Sequence, residues 1–287
     1  MFNKAWEVLL VDDDLDVLAV SKLAMKSFTV YGIPLKIHSC TSKAEAIELF
    51  NTKQDLMPTL AVAFIDVVME TDEAGLELCQ YIREELKNRI VQLFVRTGQP
   101  GVAPERSVID RYDINGYFSK VETTEDKLYS LTKSGVRQYY WTVTATSHLA
   151  LARFLVAAAG SRAALAALIQ QVLDGAFVER DGTPNESLVD ISLGLIFGDE
   201  MVASVGLDKA SALSMRDRLD QERGVPLSPA GDKYFVDDHN MFIKVAAQPD
   251  VSAACMVAQT RFRQPEFYVQ TTYNSLALEA ALWHKAT

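Results

Sequence analysis

At 287 residues the chain has room for two domains of ordinary size, and 49% hydrophobic with 23% charged residues is the profile of a folded soluble protein, not a disordered one. A net charge of −10 argues against nonspecific binding to nucleic acid or anionic lipid, and no charge-free apolar stretch of about 18 residues marks a membrane span. The first apolar run ends in Asp12, Asp13 and Asp14, too soon for a signal peptide, and Cys40, Cys79 and Cys255 are few and unspaced for metal, as expected of reduced thiols in cytoplasm.

Trp6 to Val11 (WEVLLV) predicts a first buried strand, followed at once by Asp12, Asp13 and Asp14. Asp14 is placed to cap a helix carrying Leu15, Leu18, Leu23 and Met25. Ile33, Leu35 and Ile37 alternate as a second strand, and Thr41 to Phe50 opens with a hydroxyl cap and continues as a helix. Ala61 to Ile65 is a continuous apolar run that ends in Asp66, the pattern of a strand buried on both faces of a parallel sheet. Gly75 to Leu86 predicts a third helix, Ile90 to Val95 a fourth strand ending in Arg96–Thr97–Gly98, Pro104 the start of a fourth helix, and Ile114 to Phe118 a fifth strand ending in Ser119–Lys120. Strands alternating with helices predict a doubly wound, five-stranded parallel sheet.

In such a sheet the strand ends lie on one edge, so Asp12, Asp13, Asp66, Thr97 and Lys120 converge from distant positions. Three carboxylates that close repel unless a cation sits among them. Mg²⁺ suits the task, with hard oxygen ligands and room for a phosphate and waters. A lysine supplies a point charge for a phosphoryl oxygen and a threonine hydroxyl donates to another. Asp66 is left as a carboxylate nucleophile, a route to an aspartyl-phosphate.

This constellation, over residues 5 to about 121, resembles the receiver domain of two-component response regulators. The resemblance implies that Asp66 accepts phosphate, that Asp12, Asp13, Asp66 and the backbone carbonyl of Val68 hold Mg²⁺, and that Thr97 and Lys120 contact the phosphoryl group. It makes Tyr117 the switch aromatic, gives Gly98 the role of leaving room for the phosphoryl donor, and places Val68 and Gln99 where phosphate lifetime is tuned. It also implies a histidine kinase or phosphotransfer protein as partner. Two departures stand out: the loop after Asp66 is one residue longer than usual, with Glu70 where proline is common, and Val121 follows Lys120 where the family usually has a proline after a cis bond. Together, VVMETDEAGLELCQYIREEL and RTGQPGVAPERSVIDRYD are similar to receivers that precede a GAF-like domain, a pair often followed in relatives by an HD-type phosphodiesterase domain.

From Thr124 to Ala159 a long helix is expected, with Val136, Tyr139, Val143, Thr146 and Ala150 on one seam. A second helix runs to about Phe177, and Asp181–Gly182 and Pro184 mark a loop. Strands follow at Leu188 to Phe197 and Met201 to Val205, as a hairpin around Gly198–Asp199, then a polar helix at Lys209 to Glu222. Tyr234 to Val236 and Met241 to Ala247 flank the turn DDHN, Val251 to Thr260 is a further strand, and Pro265 opens a closing helix. The expected organisation is a receiver at 1–121, a connecting helix at 122–160 and a GAF/PAS-like α+β domain at 161–287. The seam near Val136 to Ala150 and a second one near Tyr273 to Trp283 predict a homodimer.

Phe197 to Met201 (FGDEM) differs by one letter at each end from the cyclase signature GGDEF, without the rest of such a domain around it. His148, His239 and His284 are scattered, and Arg216, Arg218 and Arg223 alternate with acids as on a solvated helix face. The expected function is a cytoplasmic response regulator that signals through protein contacts, is not an enzyme and does not bind DNA. The alternative is a cyclic-dinucleotide cyclase or phosphodiesterase with a divergent C-terminal output domain.

Overall fold

A computed structural model of the chain describes residues 5–98, 105–122, 124–176, 191–260 and 267–286. Gln99, Pro104, Pro265, the loop at 181–184 and the expected start of a strand at Leu188 lie outside the described residues. Residues 3–145 form one compact unit and residues 146–287 another.

The first unit runs β1 (Trp6–Val11), α1 (Leu15–Met25), β2 (Thr29–Val30), β3 (Ile33–Cys40), α2 (Lys43–Thr52), α3 (Leu56–Thr59), β4 (Leu60–Asp66), α4 (Ala74–Gln80), β5 (Gln92–Thr97), α5 (Glu105–Tyr112) and β6 (Gly116–Ser119). The sheet order is β2-β3-β1-β4-β5-β6, with the five longer strands parallel. The doubly wound parallel sheet is therefore as expected, with one addition. β2 pairs antiparallel to β3 through Tyr31 (φ 57°) and Gly32 (φ 77°), a tight hairpin too short to show a sequence period. Trp6 Nε1 donates to Val30 O at 3.0 Å and holds this edge down.

Strand parity sorts the sheet into two faces. Leu9, Val11, Ala63, Ile65, Leu93 and Val95 share a buried cluster with Ala46 and Phe50 of α2 and with Leu76 and Leu78 of α4. On the opposite parity, Val62 and Phe94 meet a long helix, α6 (Glu125–Ala158), at Gly135: a Cβ there would lie 2.8 Å from Val62 Cγ2 and 2.9 Å from Phe94 Cε2. Tyr139 Oη donates to Pro58 O at 3.0 Å, and Trp6 and Tyr140 meet edge to face. Val136 and Tyr139, expected on an intermolecular seam, are thus buried within the first unit.

Two boundaries differ from expectation for local reasons. The Asn88 side chain accepts from Ile90 N (2.9 Å) and Val91 N (3.0 Å), holding those residues in a turn, so β5 starts at Gln92. The third helix widens into a π-helical turn at Tyr81–Glu85, where buried Arg83 donates to the carbonyls of Asp113, Asn88 and Val91.

In the second unit α7 (Arg162–Ala176) is followed by β7 (Ser192–Phe197), β8 (Glu200–Val205), α8 (Lys209–Asp220), β9 (Val225–Pro226), β10 (Lys233–Val236), β11 (Asn240–Val245), β12 (Ala254–Gln259) and α9 (Phe267–Lys285). The antiparallel sheet has the order β8-β7-β12-β11-β10-β9. α8 buries Ala212, Met215 and Leu219 against Ile196, Phe242, Cys255 and Val257, while α9 packs on β11 and β12 and α7 on β8. The long helix followed by a second sheet domain is as expected. The β7–β8 turn is Gly198–Asp199, with Gly198 at φ 60°, so FGDEM is a tight hairpin, and Asp199 pairs with Arg216 at 2.9 Å. Gln248 and Val251 exchange backbone hydrogen bonds in a turn, which delays β12 to Ala254. Leu276, Ala280 and Trp283 of the other expected seam are buried, Trp283 edge to face with Phe197.

Candidate functional site

The site lies where β1, β4, β5 and β6 end. Asp12 is the first residue after β1 and is fully buried; its Oδ1 accepts from Asp14 N at 3.1 Å. Asp13 is exposed, and Asp14 caps α1 by accepting from Asp16 N and Val17 N. Asp66 closes β4 and is 3% exposed. Carboxylate oxygens of Asp12, Asp13 and Asp66 lie within 4.8 Å of one another. Lys120, directly after β6, reaches back between two of them: Nζ is 3.0 Å from Asp12 and 2.9 Å from Asp66 Oδ2. Thr97 ends β5 and is buried on the same edge.

Burial pushes the Asp66 carboxyl upward and outweighs the opposing pull of Lys120. For Lys120 burial acts to lower the pKa, but its bonds to Asp66 and Asp12 win and hold it above the usual lysine range. Asp66 Oδ1 is buried without a hydrogen-bond partner among the described residues. A buried, unsatisfied carboxylate oxygen is costly, and beside two further carboxylates it fits a hard divalent cation such as Mg²⁺.

The loop after Asp66 explains one of the sequence's departures. Glu70, where a proline is common, accepts from Lys43 N (3.2 Å) and Ala44 N (3.3 Å) at the start of α2, a carboxylate at a helix N-terminus. Val68 is 40% exposed, so its side chain faces solvent. Tyr117 is half-buried against the cluster that contains Val108 and Ile114. After Lys120 the chain makes a 3₁₀ turn over Lys120–Glu122 with Val121 exposed, and no cis peptide occurs among the described residues.

Arg96 is not part of the constellation legible in the sequence. It is the register partner of Asp66 and shares the parity of Phe94, so it points into the face of the sheet that holds Asp12 and Asp66. Its guanidinium is buried, Nη1 donating to Ser21 Oγ at 3.0 Å and Nη2 lying 3.5 Å from Asp12 Oδ2. The available signal was an arginine at the end of an otherwise buried strand, one residue before Thr97.

No family model matches the chain. Among characterised proteins, the 3′3′-cGAMP-specific phosphodiesterase 2 of Vibrio cholerae is 46% identical over 137 residues, covering 48% of this chain and 26% of that protein. The chain thus matches about a quarter of the length of this curated relative. Among solved structures, a response-regulator receiver domain from Clostridium thermocellum matches 47% of this chain and 98% of its own (15% identity, TM-score 0.39). The receiver domain of an HD domain-containing protein from Pseudomonas fluorescens Pf-5 matches 47% and 98% (16%, 0.40), and an adenylate cyclase from Rhodopirellula baltica 50% and 97% (19%, 0.41). The expectation that the chain is not an enzyme is corrected by the Vibrio relative, which is a phosphodiesterase. That expectation rested on a missing catalytic signature in the C-terminal half, and such a test recognises only signatures already known. Two of these structural neighbours are receiver domains, and each covers about half of the chain.

Proposed function

We propose that this chain is a phosphorylation-controlled component of cyclic-dinucleotide signalling, in which Asp66 receives a phosphoryl group from a histidine kinase or phosphotransfer protein and thereby sets phosphodiesterase activity towards 3′3′-cGAMP. The observation that carries the phosphoryl half is Lys120 clamped between Asp12 and Asp66, with Asp66 Oδ1 left unpartnered. The 46% identical Vibrio phosphodiesterase supports the other half. In this reading Asp66 Oδ1 attacks phosphorus while the P–N bond to the donor's phosphohistidine breaks and its imidazole leaves, Lys120 turns from the carboxylates to a phosphoryl oxygen, and the Thr97 hydroxyl donates to another. Asp12, Asp13, Asp66 and the Val68 carbonyl would hold Mg²⁺, which neutralises charge on the transferring group. The second unit, GAF-like in its order of helix, antiparallel sheet and closing helix, passes the state on. Self-association belongs to the same reading but to a different face from the sequence expectation: Leu149 (70% exposed), Phe154 and Val156 of α6. A light-scattering mass of 31.8 kDa at high micromolar concentration would refute the dimer.

The test uses the full chain with a small phosphodonor and Mg²⁺. Intact mass should show one added phosphate on the wild type and none on Asp66→Ala, and 3′3′-cGAMP turnover should change with phosphorylation. A phosphate on the Ala variant overturns the acceptor assignment. Turnover indifferent to phosphorylation overturns the control, and absence of turnover confines the chain to phosphoryl reception.

A further inference from the structure

Arg96 is 2% exposed, and Nε of its guanidinium has no hydrogen-bond partner among the described residues. An arginine stays charged at any ordinary pH, so burying one requires compensating charge nearby. Asp12 and Asp66 supply it, and both act to keep the guanidinium charged against the burial that lowers its pKa. Yet the contact to Asp12 Oδ2, at 3.5 Å, is longer than the roughly 2.7–2.9 Å of a charge-assisted bond. The guanidinium therefore lends positive potential to the pocket without closing off a carboxylate oxygen. Asp12, Asp13 and Asp66 bring three negative charges, and Lys120 and Arg96 return two. One net negative charge remains, where Lys120 alone would leave two.

We propose that Arg96 is a resident counter-cation of the acidic pocket, opposing a divalent cation for Asp12 and so weakening the pocket's hold on Mg²⁺. It is a positioning residue, since it acts through Asp12. The inference rests on the reading of Asp66 as phosphoacceptor with Mg²⁺ beside it. The simpler account is a tie between β5 and α1 through Ser21, and glutamine at position 96 separates the two because it keeps an amide donor for Ser21 and loses the charge.

Mg²⁺ binding is measured calorimetrically on the full chain at constant ionic strength. Arg96→Gln should bind Mg²⁺ about tenfold more tightly than wild type, and Arg96→Lys should stay near wild type. Equal or weaker binding by Arg96→Gln overturns the proposal. If circular dichroism shows Arg96→Gln unfolded, the wild type decides: its Arg96 Nε–H resonance, assigned by its loss in Arg96→Lys, should shift when Mg²⁺ saturates, and an unmoved resonance overturns the proposal. Small-donor phosphorylation is scored on the same samples. A wild type that takes phosphate while both proteins bind Mg²⁺ alike removes only the role of Arg96, whereas a wild type that takes none removes the acceptor reading.

Discussion

A Cβ added to Gly75 would lie 1.7 Å from the carbonyl oxygen of Asp66. The backbone of α4 approaches the end of β4 so closely because Gly75 N donates to Val67 O at 3.0 Å, and only glycine allows it. Gly75→Ala should therefore lower stability by about 3 kcal/mol, read as a shifted urea midpoint, and a shift under about 0.5 kcal/mol would contradict that packing. Val68 poses the opposite case, a side chain facing solvent two residues after Asp66. An apolar group there cannot orient a hydrolytic water, so the aspartyl-phosphate should be long-lived, and Val68→Asn or Val68→Glu should change its decay rate. Unchanged decay in both variants would count against Val68 as the tuning residue. At this scale Asp12, Asp66, Thr97 and Lys120 were legible because each is a polar residue breaking out of an apolar run. Arg96 was hidden because it directly follows such a run, where a charge is read as a strand end, and Glu70 because its partner is a helix start 26 residues away.

Among the elements, the long strands were readable as apolar runs or alternation and α6 from its period, whereas β2 and the start of β5 depend on single side chains or a two-residue turn. The helix seams were legible as apolar but not as to what covers them: Gly135 lets α6 sit on its own sheet, which no one-dimensional pattern shows. α9 carries a further feature that periodicity concealed. Glu279 lies on its buried side, 7% exposed, and burial pushes its carboxyl up to about 8, well above the usual carboxylate range. The folded form thus keeps a proton that the unfolded chain loses near pH 4.5, so the stabilising term is full below that pH and disappears as pH rises towards 8. Hydrogen-exchange protection of β11 and β12, corrected for intrinsic rates, should fall between pH 5 and 8. Glu279→Gln should flatten that slope and add about 3 kcal/mol at pH 7. A slope that survives the substitution would place the titrating group elsewhere.

Across the whole chain, α6 is the covalent route from the proposed phosphoryl site to the second unit, running from Glu125 to Ala158 without a break. Phosphorylation adds about −1.5 to −2 charges at the sheet edge. Lys120, now shared between Asp12 and Asp66, is the cation nearest to answer it, and it directly follows β6. Within β6, Phe118 packs against Phe94 at 6.1 Å, and the Lys127 ammonium from the first turn of α6 covers its ring at 5.0 Å. A shift of Lys120 therefore pulls on a strand whose aromatic ring is held by the helix that leaves the unit. Moving a population from 1:99 to 99:1 takes about 5.5 kcal/mol of differential interaction, and two or three charge-assisted hydrogen bonds at about 1.5–3 kcal/mol each supply that order of energy. Beryllofluoride, a phosphoryl mimic, should accordingly alter hydrogen exchange at Tyr117 to Ser119 and in the first turns of α6, and Lys127→Ala should blunt the change in α6 more than the change in β6. Protection that changes only in the loops after Asp66 and Thr97 would show that the phosphoryl site is not coupled to the helix by this path.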